Sequence, residues 1–312
     1  FASTNMEDLF ADIRFIPFKK DRRLFENELK SKFSSSLFQI HNISSTSKST
    51  AATPYANQRL DMDLMVEFKK LECEIWFPPR PSDTPIKLYW RASGELVKPQ
   101  KFFEVIQSCL NGAGKVSWCR VVYKPIMTVL GRAPNQRIPV DLTPAIRVAG
   151  VEGWHVIPHD EEHWKLTNAK IQSVVLGEMN NGTVPDLKNI IRLIKYFVKK
   201  KKLPLKSFLV VSFVVHLART QTATWFAKSK SDRVWWVFYE LYLAIRSAGW
   251  IADFQTGYNI NILSVENRTQ IVEALATVLY GIRSHYDNGS TISDAFRKLL
   301  NLVRPTVEQQ YQ

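Results

Sequence analysis

Residues 60–68 read LDMDLMVEF, and residues 137–148 read RIPVDLTPAIRV. In the first stretch acidic and apolar residues alternate, which predicts a strand that carries Asp61 and Asp63 on one face. The second stretch is apolar and β-branched and predicts another strand, with Asp141 between Val140 and Leu142. Together, the two stretches place three carboxylates on predicted apolar strands.

The three acids point to cation chemistry if they meet in space. A buried carboxylate is costly unless it is paired or binds a metal, and Asp61, Asp63 and Asp141 would repel one another without cations. Mg²⁺ or Mn²⁺ suits such oxygen ligands, and two ions could clamp an in-line phosphoryl displacement. The alternative is a pair of solvated acids on an exposed strand face.

A polar segment precedes the first strand. Residues 42–59 read NISSTSKSTAATPYANQR, a composition typical of a loop. Hydroxyl and backbone N–H groups of such a loop can hold a triphosphate, which favours the catalytic interpretation of the neighbouring acids.

The elements around these strands predict an α+β fold with two lobes. Residues 7–38 have a helical pattern with basic residues, interrupted at Pro17. Strand patterns, including one strand expected at residues 116–123, dominate up to about Gly153. Helical patterns then dominate the remainder of the chain. We therefore predict a mixed-sheet lobe with an N-terminal basic helix at residues 1–153 and a helical lobe at 154–312, packed as one bilobal unit. The predicted helices lie at residues 167–176, 187–201, 207–220, 232–247, 266–284 and 292–303.

Composition supports a globular chain with a polyanionic partner. The 312 residues are 45% hydrophobic and carry 42 Lys and Arg against 29 Asp and Glu, a net charge of +13. That balance favours nucleic acid or an acidic membrane surface, although a basic protein without such a partner is the alternative. The three cysteines form no CxxC pair, and no run of about 18 apolar residues occurs, so we expect a cytoplasmic protein.

Two basic clusters are candidates for nucleic-acid binding. One lies near the N-terminus and the other at the end of a predicted helix, where solvated side chains that favour the helix dipole are the alternative interpretation. The candidate residues are Lys19, Lys20, Arg22, Arg23, Lys199, Lys200 and Lys201.

Three histidines recur every four residues, His155, His159 and His163. Pro158 makes a continuous helix through them unfavourable, so we interpret them as ordinary surface or core histidines and not as metal ligands.

The order of several motifs resembles the Mab-21 family of nucleotidyltransferases, which includes cyclic GMP-AMP synthase and its insect-type relatives. The resemblance covers about residues 44–264. It is carried by LDMDLMVEF, IPVDLTPAIRV, GWHVIPH at 153–159, WKLT at 164–167, LIKYFV at 193–198 and FVVHLARTQ at 213–221.

This resemblance implies roles for individual residues. It implies that Asp61, Asp63 and Asp141 are the catalytic metal ligands and that Ser45, in SSTSKSTA, contacts the donor triphosphate, with Ser49 as the alternative register. It further implies a triphosphate contact by Lys195, base contacts by Lys165 and Thr167, and base stacking by Phe254 or Tyr258. The phosphate loop departs from the family pattern, since Ser44 and Ser49 stand where glycines are usual.

The resemblance also implies the activator and the product. The vertebrate member binds DNA through a zinc site of one His and three Cys, and no cysteine lies between WKLT and LIKYF here. We therefore expect no zinc and expect double-stranded RNA as the activating ligand, as in insect-type relatives. The expected activity joins ATP and GTP into a cyclic dinucleotide that a STING-type receptor reads in antiviral innate immunity. A catalytically inactive binding protein and a linear oligoadenylate-type polymerase are the alternatives.

Overall fold

The computed structural model describes most of the chain as two compact units. The described residues are 6–13, 26–43, 62–71, 74–76, 85–117, 119–123, 126–127, 136–137, 140–179, 183–248, 250–252, 259–288 and 291–301. One unit comprises residues 17–48 and 59–174, and the other comprises residues 1–16, 49–58 and 175–312. The predicted α+β class, a mixed sheet followed by a helical region, is confirmed.

The first unit is built on a mixed sheet that has seven strands among the described residues. The strands are β1 (Phe38–Asn42), β2 (Met62–Phe68), β5 (Lys115–Ser117), β6 (Arg120–Tyr123), β9 (Val140–Arg147), β10 (His155–Pro158) and β11 (Trp164–Thr167). Their order in the sheet is β1-β2-β9-β10-β11, and β6 pairs with both β9 and β5. β2 and β9 run parallel, and the other neighbouring pairs are antiparallel.

Shorter strands form three two-stranded pairings outside this sheet. They are β3 (Ile75–Trp76) with β4 (Tyr89–Trp90), β7 (Ile126–Met127) with β8 (Gln136–Arg137), and β12 (Trp250–Ala252) with β13 (Asn259–Ile262).

Alternation along β2 and β9 divides the sheet into an apolar and a polar face. Met62, Leu64, Val66 and Phe68 enter the hydrophobic core, so Asp63, Met65 and Glu67 point to the opposite face. Helix α2 (Pro99–Cys109) covers the apolar face through Phe102, Phe103 and Ile106. Trp164 completes this core, with its indole N–H donating to the Val97 carbonyl at 2.8 Å.

The second unit is helical. It contains α1 (Met6–Asp12), α4 (Leu187–Lys200), α5 (Ser207–Thr220), α6 (Thr222–Ala227), α7 (Lys230–Ala248), α8 (Val265–Asp287) and α9 (Ile292–Leu300), while α3 (Ala169–Met179) crosses the boundary between the units. Phe238 of α7 contacts Phe197 and Phe296, with ring centroids 5.7 and 5.0 Å apart. No described helix combines the length and the apolarity needed to cross a bilayer.

Several predicted elements differ in detail from those observed. Residues 116–123 were expected to form one strand but form the hairpin β5-β6, with Cys119 in a turn. Of the predicted N-terminal helix, α1 and the helical residues 26–31 are described, and α1 belongs to the helical unit. Strands β10 and β11 follow residue 153 but pair within the sheet, and the chain passes from the sheet unit to the helical unit near residue 174.

Gly153, in the turn between β9 and β10, provides a test of the packing of α3 on the sheet unit. Its φ is +77°, and a Cβ there would lie 1.9 Å from Cδ1 of Ile171. We predict that Gly153→Ala destabilises the protein by about 2–3 kcal/mol, because the left-handed backbone costs about 1–2 kcal/mol and Ile171 must also move. The measurement is urea unfolding followed by circular dichroism.

Gly150→Ala is the matched control, since its φ is +76° but no atom lies within 4 Å of the added Cβ. This variant should lose only about 1 kcal/mol. Equal losses in the two variants would contradict the role assigned to Ile171.

Candidate active site

Two of the three predicted acids lie side by side in the structure. In the parallel pairing of β2 with β9, Asp63 is the direct partner of Asp141. Neighbouring strands are about 4.8 Å apart, and directly paired residues share a sheet face. The two carboxylates therefore occupy one small region of the polar face.

Asp141 is nearly buried, whereas Asp63 is half-buried. One Asp141 oxygen, Oδ2, accepts a 2.7 Å ion-pair contact from Nη1 of Arg120 on the adjacent strand β6. The Arg120 side chain is 46% exposed and can reach solvent, but Asp141 is nearly buried, so another cation has to replace Arg120 if the ion pair opens. Arg120 was not among the residues expected from the sequence, and it places a positive charge beside Asp141.

Several predicted site residues fall outside the described residues. They are Asp61, Ser45, Phe254 with its alternative Tyr258, and the basic residues Lys19, Lys20, Arg22 and Arg23. Their proposed roles remain predictions.

The other predicted residues lie in defined elements. Lys165 and Thr167 are half-buried on β11, and the Thr167 hydroxyl accepts a 3.3 Å hydrogen bond from the Ala169 backbone N–H. Lys195 is almost fully buried in α4 of the helical unit. Lys199, Lys200 and Lys201 end that helix, and Lys201 is exposed.

A second polar cluster lies farther along the same sheet face. Glu67 of β2 is fully buried and accepts hydrogen bonds from Nε2 of His155 at 3.0 Å and Nε2 of His41 at 2.5 Å. Its other oxygen pairs with the Arg147 guanidinium. The four side chains come from β1, β2, β9 and β10, so charge-assisted hydrogen bonds link four adjacent strands.

These contacts keep Glu67 ionised. Burial raises the pKa of Glu67, but the hydrogen bonds from His155 and His41 and the charges of His155 and Arg147 outweigh it, so its pKa lies well below the ordinary range. Because an ionised carboxylate only accepts hydrogen bonds, both histidines donate through Nε2. The expectation that His155 is an ordinary core or surface residue therefore omitted its charged partner.

The sequence did contain a signal for this cluster. Glu67 follows Asp63 by four residues, and Arg147 follows Asp141 by six, so both share a face with those acids if the strands are regular. A buried carboxylate and a basic residue at even spacing on two paired strands predict an ion pair.

We predict that Glu67→Gln destabilises the protein by about 3 kcal/mol at neutral pH, because it removes the buried partner of Arg147. The folded-state pKa of Glu67 is depressed, so its stabilisation is complete above the unfolded value near 4.5 and is lost as pH falls below it. The variant should therefore lose less stability than the native chain between about pH 5 and pH 2. Urea unfolding across this range in metal-free buffer measures both effects.

Glu104→Gln, at an exposed carboxylate on α2, is the control and should change stability little. Parallel pH profiles for the Glu67 variant and the native chain would contradict the assigned role of Glu67.

Comparison with known proteins identifies the fold. No protein-family profile matches the chain, and no curated protein matches it in sequence. Among solved structures, E. coli MS115-1 CdnC with ATP superimposes with a TM-score of 0.61 at 14% identity, covering 98% of both chains. The STING-associated CdnE c-di-GMP synthase of Capnocytophaga granulosa gives 0.56 at 11% identity over 90% of this chain and 83% of its own.

A third structure extends the likeness to a protein described as a prokaryotic cGAS homologue. Vibrio cholerae DncV cyclic AMP-GMP synthase gives a TM-score of 0.56 at 8% identity, covering 99% of this chain and 84% of that one. At such identities the comparison establishes the architecture alone. The chain has the fold of the cGAS- and DncV-like nucleotidyltransferases.

Proposed function

We propose that this protein is a metal-dependent nucleotidyltransferase that joins ATP and GTP into a cyclic dinucleotide. The observation that carries the proposal is the direct pairing of Asp63 with Asp141 on parallel strands. The fold is one shared with cyclic dinucleotide synthases, which favours this chemistry over that of a solvated pair of acids.

The donor set fits a hard divalent cation. Two carboxylates about 4.8 Å apart at their backbones repel each other, and Asp141 is too buried for water to screen its charge fully. Asp63 and Asp141, with Asp61, would hold Mg²⁺ or Mn²⁺, which neutralises phosphate charge and activates the attacking hydroxyl when bound.

The remaining roles concern the nucleotides. In the proposed reaction the 2′- or 3′-hydroxyl of one nucleotide attacks the α-phosphate of another, pyrophosphate leaves, and the linear product is turned and cyclised. Ser45 and Lys195 are proposed to contact the triphosphate, Lys165 and Thr167 the bases, and Phe254 is proposed to stack on a base.

Double-stranded RNA is the proposed activator. The net charge of +13 and the lysines at the end of α4 support a polyanionic ligand, and A-form shape would be read through phosphates and 2′-hydroxyls. The product is proposed to act on a STING-type receptor in innate immunity, an assignment supported by the resemblance to the Mab-21 family.

We predict that Asp141→Asn and Asp63→Asn each lower product formation at least about 100-fold, because each removes an anionic ligand of the cation that neutralises the charge of the transferring phosphoryl group. Thin-layer analysis of labelled nucleotides, with Mg²⁺ or Mn²⁺ and long duplex RNA, measures the effect. Asp160→Asn, at an exposed carboxylate in the β10-β11 turn, is the matched control and should retain activity.

The same assay separates the alternatives. A cyclic product from the native chain supports the proposal, whereas a ladder of linear products identifies a polymerase. Absence of any product with all four nucleotides, both metals and duplex RNA identifies a non-catalytic protein and contradicts the proposal.

We predict that Lys200→Glu with Lys201→Glu reduces RNA-stimulated synthesis at least about tenfold, because each lost phosphate contact weakens binding and like charge adds repulsion. Fluorescence anisotropy with labelled duplex RNA at increasing salt provides a direct binding measurement.

Lys98→Glu with Lys101→Glu reverses the same number of charges at exposed positions near the start of α2. This control should leave stimulation intact. If both double variants lose stimulation equally, the effect is one of net charge and the assignment to the end of α4 is wrong.

A further inference from the structure

The second polar cluster of the sheet unit has the geometry of a metal site. His41, Glu67 and His155 each offer a ligand atom, and these atoms lie within 4.8 Å of one another. The Glu67 and His155 side chains are fully buried, and His41 is 10% exposed. Strands β1, β2 and β10 supply the three residues, so the ligands are held by the sheet and not by a loop.

We propose that His41, Glu67 and His155 form a binding site for a divalent transition-metal ion, with Zn²⁺ as the expected occupant. Two imidazoles and one carboxylate are a protein ligand set that suits Zn²⁺, with a fourth position left for water. Nitrogen ligands disfavour Mg²⁺, which prefers oxygen. The site is therefore chemically distinct from the paired aspartates.

The distances allow an ion to enter with little rearrangement. Bonds of about 2.0–2.1 Å in a tetrahedral site place ligand atoms about 3.3–3.4 Å apart. The carboxylate oxygen Oε2 of Glu67 now lies 2.5 Å from Nε2 of His41 and 3.0 Å from Nε2 of His155. Each pair has to separate by less than about 1 Å, which a rotation of the carboxylate can supply.

Arg147 completes the surroundings of the carboxylate. Its guanidinium binds the other Glu67 oxygen, an outer interaction of the kind that orients a ligating carboxylate. The positive charge of Arg147 opposes a cation, but the side chain is 36% exposed and solvent screens part of that charge.

The metal affinity of the site depends on the hydrogen bond that each histidine makes through its second ring nitrogen. In the structure both rings donate through Nε2 to Glu67, so coordination through Nε2 moves each remaining proton to Nδ1. Nδ1 of His155 is buried without a hydrogen-bond partner among the described residues. Loss of such an outer partner lowers metal affinity about 10–100-fold, so we expect weaker Zn²⁺ binding than in zinc sites whose histidines are fully hydrogen-bonded. Zn²⁺ should still bind more tightly than Mg²⁺ because two of the ligands are nitrogen atoms.

The site is separate from the paired aspartates on the same face. Glu67 follows Asp63 by four residues along β2, which corresponds to about 13 Å. This proposal departs from the expectation of no zinc, which rested on the missing cysteine-rich insertion and did not consider His41 and Glu67. The proposal does not depend on the chain being a nucleotidyltransferase.

Titration of the full chain with Co²⁺ in excess Mg²⁺ tests the proposal. Four-coordinate Co²⁺ bound to His41, Glu67 and His155 should give strong visible absorption that saturates at one ion per chain, and Zn²⁺ should abolish it. Zn²⁺ should also raise the melting temperature of the native chain, since it binds only the folded state.

Four variants make the assignment specific. His41→Ala and His155→Ala should each weaken binding at least about tenfold, with His41→Ala the more informative because its side chain reaches the surface. His163→Ala removes an exposed histidine of the same unit that pairs with Asp160, and it should bind like the native chain. Asp63→Asn combined with Asp141→Asn should also retain the signal.

Three results would overturn the proposal. They are no saturable absorption by the folded native chain, equal affinity in a folded His41→Ala variant, and a signal that disappears in the double aspartate variant. In each case the cluster is a hydrogen-bonded group that binds no metal.

Discussion

Parallel pairing of β2 with β9 is the constraint on which the candidate active site depends. Its register makes Asp63 the direct neighbour of Asp141, while the alternate residues of both strands enter the hydrophobic core. A shift of one residue would turn one aspartate into that core, where an unpaired carboxylate is strongly unfavourable. The apolar face and the paired acids therefore specify the same register.

Two groups of charged side chains lie along the polar face of β2 and β9. Asp141 is paired with Arg120 at one end of the two strands, and Glu67 is held by Arg147 and two histidines farther along. The Arg120 side chain is 46% exposed, whereas the Glu67 and His155 side chains are fully buried. The face thus combines an ion pair that solvent reaches with a more buried cluster that links four strands.

Local sequence patterns predicted the helical unit well. The helix expected at 207–220 is the observed α5, and the one expected at 187–201 differs from α4 by a single residue. Helix α4 alternates apolar and basic residues with helical periodicity, and α5 is a largely apolar run of 14 residues, which is too long for a typical strand. The β5-β6 hairpin was missed because residues 117–119 contain neither glycine nor proline to signal a turn.

Long-range contacts were less accessible from the sequence. The DxD pattern and the apolar setting of Asp141 identified the acids, but their adjacency depends on which strands pair and in which register. Arg120 and the His41–Glu67–His155 cluster were missed for the same reason, since these contacts join strands distant in the chain. Periodicity reports which face a residue occupies and does not report its neighbour across the sheet.

Anomalous X-ray diffraction from crystals grown with Mn²⁺ and a non-hydrolysable ATP analogue would locate the metal at the candidate active site. We predict manganese bound between the carboxylates of Asp63 and Asp141, in contact with the analogue's phosphates, and Arg120 moved away from Asp141. Nucleotide bound without manganese at these carboxylates, or with the Arg120 ion pair intact, would contradict this prediction.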